Sequence, residues 1–183
     1  MTQEQLQTGA GQNVVHVIQG EHRVSSRADD ILSTLLGSCV ATCLCDPVAR
    51  IGGMNHFLLP AGDIGQTHQL RYGSHAMELL INALLKKGAR KDRLEAKLFG
   101  GAQMHDGLGA IGSANGRFAQ DFLAAEGIRC VATSLGGTAA RRVRYHPVSG
   151  RAQQMQITDP TALKELPART APKPDPKTDV VFF

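Results

Sequence analysis

Two apolar segments on either side of one turn constrain the fold of this chain more than any other feature. The segments are "CVATCLC" at 39–45 and "RIGGMNHFLLP" at 50–60, and the turn residues Asp46 and Pro47 follow the first of them. Short apolar segments bounded by Asp, Gly and Pro are typical of strands joined by turns. The sequence therefore predicts a β-hairpin through "DPVA", in which the cysteine-rich strand lies beside the strand that carries His56.

Two helices and several further strands are predicted in the rest of the folded part. The clearest helix is 74–88, where apolar residues recur every fourth position, Ser74 is a good N-cap and Gly88 can end the helix. A polar loop is predicted before it, at 61–72. The other predicted elements are a second helix over about 114–126, strands at 13–18, 94–99 and 128–134, and a late hairpin around "SG" at 149–150.

Length and composition predict one folded domain between two polar ends. The chain has 183 residues, 42% of them hydrophobic and 20% charged, which is typical of a globular domain. We expect 1–12 to be a disordered lead and 13–160 a single domain. We expect 161–183 to be a solvated tail, because it contains "PARTAPKPDPKTD", which is rich in Pro and has no apolar periodicity.

Charge and hydropathy exclude several classes of function. The N-terminus "MTQEQLQTGAGQ" does not resemble a signal peptide, and no apolar segment reaches the length of a membrane span. We therefore expect a cytoplasmic protein with free thiols and no membrane insertion. The net charge is only +4, Trp is absent and Tyr occurs twice, so nucleic-acid binding is not expected. "GLGAIG" at 107–112 matches a dinucleotide-binding pattern but does not directly follow a predicted strand, so no cofactor is expected.

Three of the four cysteines, Cys39, Cys43 and Cys45, lie within seven positions. A zinc site would need a second cysteine pair at similar spacing beside Cys39 and Cys43, and the chain has none, so no metal is predicted. Side chains two apart on a strand share a face, and the favoured interpretation of Cys43 and Cys45 is packing in a buried core.

Cys39 differs because it lies where "ILSTLLGS" meets the strand, at a Gly-Ser corner. Backbone N–H groups at such a corner could lower the pKa of a thiol or bind an oxyanion. A nucleophilic cysteine also needs a base, and the predicted hairpin brings His56 near. Spacing alone leaves two alternatives open for His56, a catalytic base and a histidine packed in the core.

These residues resemble one family. "STLLGSCVATCLCDP" and "GGMNHFLLP", followed by "RYGSHAMELLINALLKKGA", "LEAKLFGGAQM", "IGSAN", "EGI" and "SLGGTAARRVRYHPVSGR", are similar to the CheD family of chemoreceptor glutamine deamidases. The resemblance extends from about residue 28 to 152. It implies an α+β fold, a layered sandwich of mixed β-sheets covered by helices, similar to the catalytic domain of the cytotoxic necrotizing factors.

The resemblance also implies the chemistry. The family's nucleophile falls on Cys39 and its histidine on His56, and the hydroxyl residue six positions before the cysteine falls on Ser33, with Thr34 adjacent as the alternative. The implied activity is deamidation of glutamine side chains in the cytoplasmic helices of methyl-accepting chemotaxis receptors, through a thioester. A phosphatase of the CheC type is a further implied partner. The competing hypotheses are a non-catalytic adaptor, and a cysteine protease or transglutaminase-like acyltransferase.

Overall fold

Two β-sheets stack face to face in the computed structural model, which describes residues 11–60, 65–104 and 110–157. Two helices cover the outer face of the larger sheet. The strands are β1 (Asn13–His16), β2 (His22–Ser25), β3 (Asp30–Leu36), β4 (Val40–Asp46), β5 (Ile51–Phe57), β6 (Glu95–Gly100), β7 (Arg129–Leu135), β8 (Ala140–His146) and β9 (Arg151–Ile157). The helices are α1 (Gln66–Lys86) and α2 (Ile111–Ala125), and a single 3-10 turn spans Lys91–Arg93.

Each sheet mixes parallel and antiparallel pairs. The smaller sheet has the order β1-β3-β8-β9, in which only β1 and β3 run parallel. The larger sheet has the order β2-β5-β4-β6-β7, in which only β6 and β7 run parallel. The predicted α+β sandwich of mixed sheets covered by helices is therefore confirmed in its coarse form.

The predicted hairpin is confirmed: β4 and β5 pair antiparallel, with Ala41 opposite His56. Alternation along β4 directs Cys43 and Cys45 into the apolar core between the sheets, where they pack with residues such as Met54 and Tyr145. Their predicted role as core side chains agrees with this burial. A second core, between the larger sheet and the helices, contains the apolar face of α1.

Helix α1 begins at Gln66, so the predicted N-cap at Ser74 and much of the predicted loop at 61–72 are wrong. The first two turns are mostly exposed and therefore lack the apolar periodicity by which the helix was placed. Gly73 lets this part of the helix pass close to α2, because a Cβ there would lie 2.6 Å from the Phe118 ring. The short polar strand β2 was not predicted, and α2 begins a few residues earlier than expected.

The ends of the chain were predicted to be a disordered lead at 1–12 and a Pro-rich tail at 161–183. Apart from residues 11 and 12 of the lead, both segments lie outside the described residues, and so does the first half of "GLGAIG", at 107–109. In the described part of the chain, neither helix is long and apolar enough to cross a membrane.

The buried carboxylate of Asp46 holds the turn that follows β4. Its Oδ1 accepts the backbone N–H groups of Val48 (3.0 Å) and Ala49 (2.9 Å). Its Oδ2 accepts the N–H of Arg90 (2.9 Å) and pairs with the Arg93 guanidinium (2.9 Å). Burial alone would raise the pKa of Asp46, but these hydrogen bonds outweigh it and the pKa is lowered.

We predict that Asp46→Asn lowers the free energy of unfolding by about 2–3 kcal/mol at neutral pH, because an amide NH₂ would face N–H donors and leave Arg93 unpaired. Because the folded-state pKa is below the unfolded one, the stabilisation is complete above about pH 4 and is lost as the pH falls through the folded pKa. Urea unfolding at several pH values checks this.

The matched control is Asp92→Asn, which removes an exposed ion pair with Arg90 and should leave the free energy of unfolding unchanged. A difference between wild type and Asp46→Asn that stayed constant from pH 7 to pH 3 would contradict the role assigned to the ionised carboxylate.

Candidate active site

The corner that carries Cys39 connects the two sheets, since β3 belongs to the smaller sheet and β4 to the larger. All three of its carbonyls accept hydrogen bonds. Gly37 accepts from the N–H of Ala102 (2.9 Å), and Cys39 accepts from the N–H of Gly101 (2.8 Å). The carbonyl of Ser38 accepts from the side-chain amide of Asn115 in α2 (2.9 Å). The orientations of successive peptide planes are therefore fixed.

Glycine is required where β6 ends against this corner. Gly100 has φ +111°, and a Cβ there would lie 2.1 Å from the Cys39 carbonyl oxygen. Gly101 follows with φ +64° and donates its N–H to the same carbonyl. The "GG" of "KLFGGAQM" thus allows the backbone after β6 to approach the corner closely enough to bind it.

A cavity of about 340 Å³ opens beside the corner. One wall is the end of β3 that has no partner in β1, at Thr34 and Leu35. Another wall is the segment that follows β1, residues 17–19. Its lining includes all three residues that the sequence named, Cys39, His56 and Ser33, together with Thr34 and Gln19. The structure therefore brings the predicted site residues to one cavity.

The imidazole of His56 is held from the opposite sheet. Its Nδ1 lies 2.9 Å from Thr34 Oγ1 and 3.3 Å from the carbonyl oxygen of Val17. The Thr34 hydroxyl donates its proton to that same carbonyl, at 2.7 Å. Since the hydroxyl proton is already used and a carbonyl can only accept, Nδ1 carries the ring proton. The other nitrogen, Nε2, is then the unprotonated one.

Burial makes His56 a neutral base. The side chain is buried, and desolvation lowers its pKa from the ordinary value, although the hydrogen bond to Val17 opposes the shift. Nε2 is buried and has no hydrogen-bond partner among the described residues. A buried nitrogen with a free lone pair can accept a proton from a group that enters the cavity.

The Cys39 thiol is protonated at rest. Burial raises its pKa more than a hydrogen bond from its own backbone N–H lowers it. The thiol donates to Oε1 of Gln19 at 3.4 Å, and it is not within hydrogen-bond distance of His56 Nε2. Catalytic contacts often tighten only when substrate binds, so this resting geometry is compatible with proton transfer from Cys39 to His56 in a substrate complex.

Gln19 was missed by the sequence analysis. It occupies a tight turn in which the N–H of Glu21 donates to the carbonyl of Ile18 and Gly20 has φ +87°. This turn is fixed at both ends, because Val17 donates to Ser33 in one sheet and Gly20 donates to His56 in the other. The dipeptide "QG" indicates a turn, but nothing local in the sequence indicates that this turn lies over Cys39.

The structure places Ser33 and Thr34 differently. Both are buried and line the cavity, but adjacent residues of a strand point to opposite faces. Thr34 shares the inward face with Leu32 and Leu36 and lies within hydrogen-bond distance of His56, whereas no hydrogen bond joins Ser33 to His56. The hydroxyl that touches the imidazole is therefore that of Thr34, the alternative, and not that of Ser33.

No three His, Cys, Asp or Glu side chains lie close enough together to hold a metal ion within 11–60, 65–104 and 110–157. The four cysteines are unpaired thiols. The chemistry available at this site is that of a thiol, a neutral imidazole and backbone N–H groups, which together suit acyl transfer.

Comparisons with known proteins agree with the site. A family model described as "CheD chemotactic sensory transduction" matches residues 58–156. A "Probable chemoreceptor glutamine deamidase CheD" of Cereibacter sphaeroides is 60% identical over 143 residues, 78% of this chain and 72% of that protein. A protein of Agrobacterium fabrum with the same name is 50% identical over 173 residues, 92% of this chain and 96% of its own.

The structure defines an α+β protein with a thiol and an imidazole in one cavity, and these similarities show that the chain belongs to the CheD family. The matched range of the family model begins after both Cys39 and His56. Among solved structures, Neisseria meningitidis protein NMB0706, "family-model DUF152", matches 69% of this chain and 64% of its own at 13% identity and a TM-score of 0.44, which supports no conclusion.

We predict that iodoacetamide labels Cys39 and Cys130 in the native protein and leaves Cys43 and Cys45 unlabelled. Cys130 is exposed and Cys39 is partly exposed, whereas Cys43 and Cys45 are buried, where the reagent cannot reach them in the folded protein. Peptide mapping by mass spectrometry measures the rate at each position. In denaturing urea all four should react at similar rates, and native labelling of Cys43 as fast as Cys39 would contradict the assignment.

Proposed function

We propose that this protein deamidates glutamine side chains of methyl-accepting chemotaxis receptors to glutamate. The proposal rests on membership of a family whose relatives are named chemoreceptor glutamine deamidases. The observation that carries it is one cavity lined by the Cys39 thiol and by His56, whose neutral imidazole leaves Nε2 unprotonated. A carboxamide fits against this thiol, since the side chain of Gln19 already lies there.

In the first half of the reaction, the substrate carboxamide displaces Gln19 and His56 Nε2 takes the proton of Cys39. The thiolate attacks the carboxamide carbon, a C–S bond forms, and the π electrons of the carbonyl move to oxygen. Backbone N–H groups at the Ser38–Cys39 corner bind the resulting oxyanion. The imidazolium returns its proton to the nitrogen, the C–N bond breaks, and ammonia leaves a thioester on Cys39.

In the second half, water replaces ammonia. His56 takes a proton from the water as the oxygen attacks the thioester carbonyl, and the C–S bond then breaks. The thiolate leaves and is reprotonated, and the substrate carries a glutamate carboxyl group. Splitting one amide hydrolysis into two steps lowers the barrier to each, which is the usual advantage of covalent catalysis.

Thr34 is proposed as the third member of the site in place of Ser33. Its hydroxyl accepts from Nδ1–H while donating to Val17, and this fixes both the tautomer and the ring orientation of His56. Ser33, on the opposite face of β3, is proposed to shape the cavity wall. The catalytic assignment is therefore Cys39 as nucleophile, His56 as general base and acid, and Thr34 as the group that orients it.

The proposal also includes the expected substrate segment, location and second partner. The substrate segment is the cytoplasmic helical part of the receptors, the location is the cytoplasm, and a CheC-type phosphatase is a second partner. Similarity to the catalytic domain of the cytotoxic necrotizing factors stays a prediction about the fold. The rival classes are an adaptor and an enzyme that cleaves or cross-links the receptor.

We predict that Cys39→Ala and His56→Ala each abolish glutamate formation, whereas Cys43→Ala retains most of it because Cys43 is a core side chain. Because burial lowers the pKa of His56, the acidic limb of kcat/KM for the wild type should lie below about pH 6.5. The assay is mass spectrometry of a receptor cytoplasmic fragment, in which deamidation replaces an amide NH₂ by OH.

The same assay separates the rival classes. Receptor binding with no mass change in the wild type would mean an adaptor, and backbone cleavage or cross-linked products would mean a protease or an acyltransferase. A Cys43→Ala protein as inactive as Cys39→Ala would end the assignment of a single nucleophile.

We predict that Thr34→Val lowers kcat about 10²-fold, because the imidazole loses the group that fixes its tautomer, while Ser33→Ala lowers it less than about threefold. Valine keeps the volume and branching of threonine, so the pair of variants compares the two hydroxyls at similar packing. Steady-state kinetics on the receptor fragment measures both. The opposite ranking would assign the role to Ser33.

A further inference from the structure

Asn115 connects helix α2 to both segments that carry the proposed catalytic residues. It is fully buried, at 0% exposure, and both ends of its carboxamide are used. Its Nδ2 donates to the carbonyl of Ser38 at 2.9 Å, and its Oδ1 accepts from the N–H of Leu59 at 2.8 Å. Ser38 immediately precedes Cys39, and Leu59 lies just beyond the strand that carries His56.

The bond to Ser38 fixes the direction of the N–H that follows. In a trans peptide the C=O and N–H of one plane point in opposite directions, and the peptide bonds of the described residues are all trans. With the Ser38 carbonyl directed at α2, the Cys39 N–H must point away from α2. It lies on the side of its own sulfur, since this N–H opposes the rise that burial causes in the pKa of the Cys39 thiol. That is the side on which an attacked carbonyl would develop its negative charge.

Among the described residues, Asn115 is the only side chain that donates a hydrogen bond to a carbonyl of this corner. The carbonyls of Gly37 and Cys39 are bound by backbone N–H groups of residues 102 and 101, which a substitution would not remove. The central carbonyl depends on a side-chain amide instead. Within the described part of the chain, the orientation of the Ser38–Cys39 peptide can therefore be changed selectively at position 115.

We propose that Asn115 is a positioning residue for the oxyanion: it holds the Ser38 carbonyl so that the Cys39 N–H is aimed at the oxygen of the attacked carboxamide. The inference rests on the proposed deamidase function. Asparagine suits the role because one donor and one acceptor are both needed here. Aspartate in its ionised form and leucine would each leave the Ser38 carbonyl without a donor.

The first test is Asn115→Ala, compared with Leu123→Ala. Leu123 is buried in the same helix, so its truncation destabilises α2 without touching the corner. We expect Asn115→Ala to lower kcat on the receptor fragment about 10²-fold with KM changed less than about threefold, as misplacing a transition-state donor does. We expect Leu123→Ala, assayed at a temperature where both variants are folded by circular dichroism, to keep kcat within about threefold of wild type.

Alkylation distinguishes an oxyanion role from damage to the nucleophile. Iodoacetamide reacts with a thiolate by direct displacement and forms no oxyanion, so the rate at Cys39 in Asn115→Ala should fall far less than kcat, and only through the higher pKa of the thiol once its own N–H has turned away. Peptide mapping reports Cys39 separately from Cys130. A parallel loss of alkylation and kcat would overturn the proposal, since Asn115 would then act on the thiol itself.

A second variant tests the hydrogen bond directly. In Asn115→Asp the introduced carboxyl can donate to the Ser38 carbonyl only when protonated. The kcat of this variant, divided by the wild-type kcat at the same pH, should therefore rise as the pH falls, while the same ratio for Asn115→Ala stays flat. A flat ratio for both variants, or wild-type kcat in Asn115→Ala, would overturn the proposal.

The deamidase function and the role of Asn115 are tested by different measurements. If the wild-type protein leaves receptor glutamine unchanged, the proposed function fails before Asn115 is considered. If the wild type deamidates and Cys39→Ala does not, the proposed function stands, and only the variants at position 115 decide the role of Asn115.

Discussion

Three consecutive carbonyls, those of Gly37, Ser38 and Cys39, are each held by a hydrogen bond, and the rest of the site depends on this rigid corner. The chain passes here from one sheet to the other, which is a place where a backbone would otherwise be free to move. Gly100 has no side chain because its Cβ would meet the Cys39 carbonyl. The thiol is thus placed by backbone contacts, and its exposure to the cavity does not depend on a flexible loop.

The stacking of the two sheets sets the protonation states as well as the positions. Thr34 and Val17 approach His56 from the smaller sheet, so the imidazole is oriented and desolvated by the same contact. Desolvation favours the neutral forms of both groups, and it leaves His56 unprotonated and Cys39 as a thiol. A protonated thiol reacts slowly with oxidants, so in the proposed mechanism Cys39 becomes reactive only when a substrate brings it to His56.

Local patterns predicted the hairpin of β4 and β5, and family motifs indicated Cys39 and His56. These patterns and motifs did not predict features that depend on contacts between residues distant in sequence. Ser33 was chosen by counting six positions from the cysteine, but strand alternation turns it away from His56, and the register that brings Thr34 there arises only when the sheets pack. The start of α1 was missed because its polar first turns have no apolar periodicity. Gln19 was missed because it reaches Cys39 through a turn that is fixed by hydrogen bonds to both sheets.

The layers of this fold place the proposed site residues and Asn115 on opposite sides of the larger sheet. Cys39, His56 and Thr34 lie on the side of the larger sheet that faces the smaller one, whereas Asn115 comes from the helices on its other side. A peptide plane crosses between these layers at Ser38, so a change in a buried helix residue can turn a donor in the cavity without moving the thiol. Burial in the helix layer of this fold is therefore not sufficient reason to assign a residue to stability alone. The distinction matters for Asn115, because its two hydrogen bonds end beside Cys39 and just beyond the strand that carries His56.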